Sequence, residues 1–250
     1  MSTRLISLMP LLLLLSVMQG CSTMGPMRGV GDAVVLDKTV VELPEAQLLD
    51  VWVEIFNPGT LPEEEEDAAG LSMDIREAEA RYFPEQLRAT MERTGYWGAV
   101  RLVPQDTAGS ELLVSGTIIE SDGENLELEI RAQDATGKEW FRRTYSKEID
   151  YTQYLRIDRE GEDVFQPLYN TIANDLAKLR AKLERVEITK IRRVASLRFA
   201  SDLAPEAFDG YLEQNGERFK VARLPAADDP MYRRVQAIRD RDFLLIDTLN

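Results

Sequence analysis

Histidine is absent from the 250 residues, and cysteine occurs once, as Cys21. The first absence removes imidazole, the commonest general base and the commonest zinc ligand. The second removes thiolate metal clusters and any intramolecular disulfide, so the fold must be held by its core. Ser-His-Asp and Cys-His nucleophilic sites are excluded together. Basic charge is in deficit, 30 Lys+Arg against 44 Asp+Glu, a formal net charge of −14. Such a body is repelled by nucleic acid and by anionic lipid. The glycines between Gly25 and Gly31 lack the lysine and hydroxyl ending of a phosphate-binding loop. No cofactor and no metal is expected, and the chain reads as a non-enzyme. A Ser-Lys or a carboxylate pair stays open in principle, as in adjacent Ser146 and Lys147, which would face opposite sides of a strand.

Long apolar runs are also scarce. The one that stands out covers residues 5–18, interrupted by Ser7, Pro10 and Ser16, preceded by Arg4 and followed by Gln19, Gly20 and Cys21. A charge, a short apolar stretch and a small residue at its end have the layout of an export signal. The stretch is shorter than the ~20 residues of a membrane span. Val17-Met18-Gln19-Gly20-Cys21 resembles the lipobox of bacterial lipoproteins. That resemblance implies removal of residues 1–20 and conversion of Cys21 into the first residue. Cys21 would then carry a thioether-linked diacylglycerol and an amide-linked acyl chain such as palmitate. Ser22, in place of aspartate, implies by the same similarity sorting to the outer membrane. Loss of Arg4 takes the basic count from 30 to 29 and the balance from −14 to −15, so membrane attachment has to come from the acyl chains, at about 0.8 kcal/mol per buried methylene.

Residues 21–32, with glycines at 25, 29 and 31 and Pro26, read as an acylated, flexible tether. Residues 33–183 read as one α/β domain. Strands are expected at 33–36 and 40–43, and at 51–56, which closes on Asn57-Pro58-Gly59-Thr60. The acids at 63–67 (Glu-Glu-Glu-Glu-Asp) lack the glycine-punctuated alternation of a calcium loop and read as a solvated loop. A helix is expected over 74–94. Asp74 and Glu77 would form its capping box, with an apolar side of Ile75, Ala78, Tyr82, Phe83, Leu87, Thr90 and Met91, a kink or split at Pro84 and a stop at Gly95. Strands follow at 97–103, 111–120, 124–134 and 138–145. The turns Ser121-Asp122-Gly123 and Asp134-Ala135-Thr136-Gly137 join the last three. A second helix begins near Asp163 and Gln166 and continues through Leu168, Tyr169, Ile172, Leu176 and Leu179 to Leu183. The fold class is α/β (α+β): a mixed, largely antiparallel sheet with one wet face, covered on its dry face by two helices, with a C-terminal helical extension at 184–250.

The order WVEIF, FPEQLRATMERTGYW, VRLV, ELLVSGTI, LELEIRAQDATGKEW and FQPLYNTIANDLAKL resembles the amino-terminal domain of TolB and the related envelope lipoproteins LpoB and CsgG. The matching stretches are Leu87 to Gly95, Glu111 to Ile118 and Ile130 to Trp140. That resemblance implies a periplasmic protein-protein adaptor and carries no catalytic residue across.

Beyond Leu183 the charge reverses. Lys178, Arg180, Lys182, Arg185, Lys190, Arg192, Arg193 and Arg198 face only Glu184 and Glu187 in the same stretch. In an acidic chain this reads as an ordinary solvated helix paired with acidic neighbours or as a docking surface for a protein or the cell wall, with an anionic-lipid contact as a third alternative. No aromatic-studded groove accompanies the charge, and nucleic acid is not expected. Helices are expected to start at Ala204-Pro205-Glu206, ending near Asn215-Gly216, and at Asp229-Pro230, with Met231, Val235, Ile238, Leu245 and Ile246 as an apolar stripe. Trp52, Trp97 and Trp140 are core anchors or the lining of an apolar ligand site.

The sequence thus describes a lipoprotein on the periplasmic face of the outer membrane, held there by acyl chains and acting as an envelope adaptor or assembly factor. A carrier of lipid or a small apolar ligand, and an enzyme of unknown class, are the alternatives.

Overall fold

The antiparallel hairpins promised by the alternating segments form the middle of a six-stranded mixed sheet in the computed structural model, which describes residues 25–62, 71–104, 109–150 and 163–249. The strands are β1 (Met27–Gly29), β2 (Val51–Glu54), β3 (Val100–Val103), β4 (Leu112–Ser121), β5 (Asn125–Asp134) and β6 (Glu139–Glu148), in the order β1-β6-β5-β4-β2-β3. β4, β5 and β6 pair antiparallel, whereas β1 joins β6, and β2 joins β3 and β4, in parallel. Along β5, Leu126, Leu128, Ile130, Ala132 and Asp134 are buried, and the residues between them are half-exposed. That alternation is the expected dry and wet faces.

Helices α1 (Met73–Glu92) and α2 (Gln166–Arg180) cover the dry face. Between them and the sheet lie Leu87, Met91, Leu112, Val114, Leu128, Ile130, Ile172 and Leu176, none with exposed surface. α1 starts one residue before the expected cap. Ser72 Oγ accepts from the Ile75 amide at 3.2 Å, so Ser72 does the work assigned to Asp74. The buried stripe runs through Arg76, Ala80, Phe83, Leu87 and Met91, leaving Ile75 and Tyr82 exposed. Arg76 is buried together with its guanidinium, whose Nε lies 3.9 Å from Glu79.

α1 does not split at Pro84. A proline leaves the carbonyl four residues back without its helical donor. Here that carbonyl, on Ala80, accepts from the Phe56 amide at 2.9 Å, so the gap in the helix becomes the joint that ties it to the end of β2. Gly95, at φ +73°, ends the helix region as expected.

The segment expected as strands at 33–36 and 40–43 forms no strand and bends at Val40 and Val41. Its backbone is satisfied by side chains of α2: Asn170 Nδ2 donates to the Val34 carbonyl (2.7 Å), Asn174 Nδ2 to the Val35 carbonyl (2.9 Å), and Asn174 Oδ1 accepts from the Asp37 amide (2.8 Å). α2 is therefore covered on a second side. It ends at Arg180, three residues short of the expected Leu183. Its start is an Asx turn, with Asp163 Oδ1 accepting from the Phe165 amide at 2.7 Å.

Residues 25–32, expected as tether, are built into the domain. β1 extends the sheet at β6, and a Cβ on Gly25 would lie 2.2 Å from the Arg142 carbonyl oxygen. Arg28 pairs with Asp175 of α2, whose carboxylate also accepts from Arg143 (2.6 Å) and the Tyr145 hydroxyl (3.0 Å). Lys147, nearly buried on β6, reaches Asp32 at 2.5 Å. The expected acidic loop at 63–67 lies outside the described residues.

The carboxyl-terminal part contains more than helices. α3 (Arg185–Leu203) is followed by a hairpin of β7 (Leu212–Asn215) and β8 (Arg218–Val221), then by α4 (Pro230–Leu249). The helix expected over 204–216 is a turn leading into β7. Gly216, at φ +59°, makes the tight turn that the Asn-Gly pair signals. α4 turns inward Tyr232, Val235, Arg239 and Phe243, while Met231 and Leu245 of the expected stripe stay exposed.

Gly116 on β4 lies under the Phe56 ring, and a Cβ there would come within 2.8 Å of it. Gly116→Ala is expected to cost about 1–3 kcal/mol by overpacking. Urea unfolding should show a lower midpoint with an unchanged slope.

Candidate functional site

α3 carries most of the cations singled out in the sequence, and its rotation decides what each can do. The helix opens on a capping box in which the Glu184 amide donates to Glu187 at 3.0 Å. Ile188, Ile191, Val194 and Ala195 then enter the same core as the sheet. Further along, Leu197 and Ala200 pack with Phe208 and Val235 in a second, smaller cluster. With those positions inward, the helix period sends 185, 186, 189, 190 and 193 outward.

The eight sequence cations therefore divide. Arg180 is buried and donates to the Gln47 carbonyl at 2.5 Å, and its burial lowers its pKa. Arg192 bonds Glu111 (3.3 Å) and the Glu45 carbonyl (3.3 Å). Arg198 stacks on Phe219 at 4.4 Å and donates to the Ala135 carbonyl at 3.2 Å, and desolvation lowers its pKa. Arg192 and Arg198 bolt α3 to the rest of the fold, and Arg180 ties the end of α2 to Gln47. Lys178 lies 4.0 Å from Asp175, and Lys182 is exposed just beyond α2.

Arg185, Lys190 and Arg193 are exposed and form no ion pair among the described residues. They gather with Lys220 of β8 around a groove of about 500 Å³, whose floor is Val186, Val221 and Leu224, with Thr189 at its side. Val186 is 76% and Leu224 51% exposed, so real apolar surface meets solvent there. A second hollow of about 570 Å³ adjoins it through Lys190 and Lys220 and adds Arg218 and Phe219. Arg218 and Lys220 lie past the helix stop expected near Asn215-Gly216, in a segment for which the sequence reading offers no element. Their signal was the alternation Arg-Phe-Lys-Val after a Gly-Glu turn.

A second polar cluster lies behind α3 and is structural. Glu111, 5% exposed, accepts from the Asp50 amide at 3.0 Å and faces Arg192 and Arg239. Burial raises its pKa against the opposing effect of those bonds and cations. Arg101 joins Asp50 (3.0 Å) to Asp247 of α4 (2.6 Å), and Phe243 lies between Arg101 and Arg239 at 4.5 and 4.9 Å. Trp52 meets the Phe243 edge at 5.9 Å, and Trp97 lies against Trp140 at 6.3 Å. The tryptophans thus act as packing anchors. An apolar ligand carried between sheet and helices would have to displace the fully buried side chains there.

Among the described residues, no three carboxylates or other ligating groups come together in a way that would hold a metal ion. Among them also, no helix is long and apolar enough to cross a membrane. Val17, Met18, Gln19, Gly20 and Cys21 lie outside the described residues. No protein-family model matches the chain, and no curated protein matches it in sequence.

The division of the cations has a measurable consequence. Arg198→Ala removes a stacked, hydrogen-bonded side chain and should cost about 1–3 kcal/mol of unfolding free energy. Arg193→Ala should stay within about 0.5 kcal/mol of the parent. Comparable losses from both in a denaturant titration would contradict the assignment.

Proposed function

We propose that the chain is a bacterial envelope lipoprotein, anchored by acyl chains on Cys21 to the inner leaflet of the outer membrane, that serves as a non-catalytic adaptor or assembly factor for another envelope protein or the cell wall. One observation carries the adaptor role: Arg185, Lys190, Arg193 and Lys220 stand around exposed apolar side chains on one face of a chain whose net charge is −14. Groups used for the fold are paired or stacked, as Arg180, Arg192 and Arg198 are. A cluster left exposed beside apolar surface is disposed toward something outside the molecule. The resemblance of the strand and helix order to TolB, LpoB and CsgG supports the same role.

The anchor rests on the lipobox resemblance, and the fold gives it a mechanical consequence. Four Cα–Cα steps separate Cys21 from Gly25, where the chain is already against β6. They span at most about 14 Å. An acylated Cys21 would thus hold the β1–β6 edge close to the bilayer and leave the domain little lateral play. Reach toward a partner would come from the domain's own extent rather than from a long leader.

The test is the intact mass of the protein recovered from membranes, beside the Cys21→Ser variant. The expected mass lacks residues 1–20 and gains acyl-glyceryl lipid, and the variant fails to gain it. Recovery of the parent from the soluble fraction with residues 1–20 attached and no lipid would refute the anchor. In-cell crosslinking that returns only bulk lipid, and no reproducible macromolecule, would refute the adaptor role.

A further inference from the structure

We infer that the groove between α3 and β8 is a docking site for an acidic amphipathic peptide segment of a partner protein. The inference rests on the adaptor reading and specifies the partner's chemistry. Its first ground is charge. Five cations, Arg185, Lys190, Arg193, Arg218 and Lys220, rim the two joined hollows. Two carboxylates stand nearby: Glu187 turns back to the Glu184 amide, and Glu213, which lines the second hollow, pairs with Lys220 at 3.8 Å and leaves Arg185, Lys190, Arg193 and Arg218 without an ion pair among the described residues. The rim is therefore a positive patch on a negative body, and its complement carries carboxylates.

The second ground is the floor. Val186, Val221 and Leu224 form an apolar strip between the cations. A simple anion would neutralise the rim and leave that strip wet. A segment with aliphatic side chains on one face and carboxylates flanking them satisfies both, in the manner of a helix laid into a groove. About 10–12 helical residues extend some 15–18 Å.

The third ground is the shape. A bilayer is a flat, extended anion surface. A concave strip with cations on both sides suits a narrow ligand. The walls are also firm: Arg198 stacked on Phe219 and the Phe219 amide on the Thr136 carbonyl (2.9 Å) fix β8 relative to α3.

Fluorescence anisotropy on the full-length protein in neutral detergent tests this with a labelled peptide of about 14 residues. The probe peptide has leucines on one helical face and glutamates beside them. One control has the same composition with the leucines scattered, and another has lysine for glutamate. The amphipathic acidic peptide should bind at least about tenfold more tightly than either control, and added salt should weaken it. Lys190→Glu with Arg193→Glu, and separately Leu224→Asp, should each weaken binding about tenfold. Unchanged circular dichroism and melting would show that these exposed substitutions leave the fold intact. Equal binding of all three peptides, or no loss in the variants, overturns the inference. So does binding of phosphatidylglycerol vesicles, lost in the same variants, with no peptide binding, because the face would then belong to lipid. The peptide assay does not depend on acylation. An unlipidated Cys21 with intact peptide binding would refute the anchor alone, whereas an adaptor recovered with its partner but indifferent to these peptides would refute the groove alone.

Discussion

The burial of Ile188, Ile191, Val194 and Ala195 in the sheet's own core is the constraint on which the rest depends. Those four side chains fix both the position and the rotation of α3. Rotation then determines which cations turn inward to bind backbone, ring and carboxylate, and which remain outside. Turning the helix by one residue, ~100°, would put Arg192 in water and drive Arg193 toward Glu111. The basic face is thus a by-product of core packing made specific by the helix period. From α3 the hairpin and α4 are hung in turn, the hairpin through Arg198 and Phe219, and α4 through Val235 and the chain Arg239, Phe243, Arg101, Asp247.

The opposite end of the domain obeys a different rule. Parallel pairing of β1 with β6 is short, and a three-residue strand holds poorly by ladder bonds alone. The Asp175 carboxylate compensates by gathering Arg28, Arg143 and Tyr145 across β1, β6 and α2. Loss of one partner from so buried a group is expensive, which makes this edge a firm attachment point. In the proposed arrangement the membrane pulls on this edge.

Much of this was legible in the sequence, for reasons that differ by element. β4, β5 and β6 show a clean period of two and glycine turns, and α2 a long period of 3.6, so local pattern and tertiary role agree. Residues 33–36 carry β-branched and apolar side chains and were expected as a strand. Their hydrogen bonds go instead to Asn170 and Asn174, some 136 positions away, which no local window contains. Pro84 reads as a kink or split of α1, and the Phe56 amide that meets the vacant Ala80 carbonyl also lies outside any local window, though much nearer in sequence. At 204–216 the spacing of Phe208, Tyr211 and Leu212 mimics a helix, and it outweighed the Asn215-Gly216 pair that marks the hairpin. The basic face was visible as a run of charge. Its division into structural and free cations was not, because that depends on α3's rotation, and Lys220 joins it from another element.

Native-state hydrogen exchange on the full-length protein tests the central claim most directly, since it reports whether α3 opens with the sheet or apart from it. If α3 belongs to the sheet's core, amides from Ile188 to Ala195 exchange with protection close to that of β4 and β5 and respond to denaturant in parallel with them. Exchange of those amides at much lower denaturant, while β4 and β5 stay protected, would show α3 to be a separately opening appendage, and the groove built on it would lose its footing.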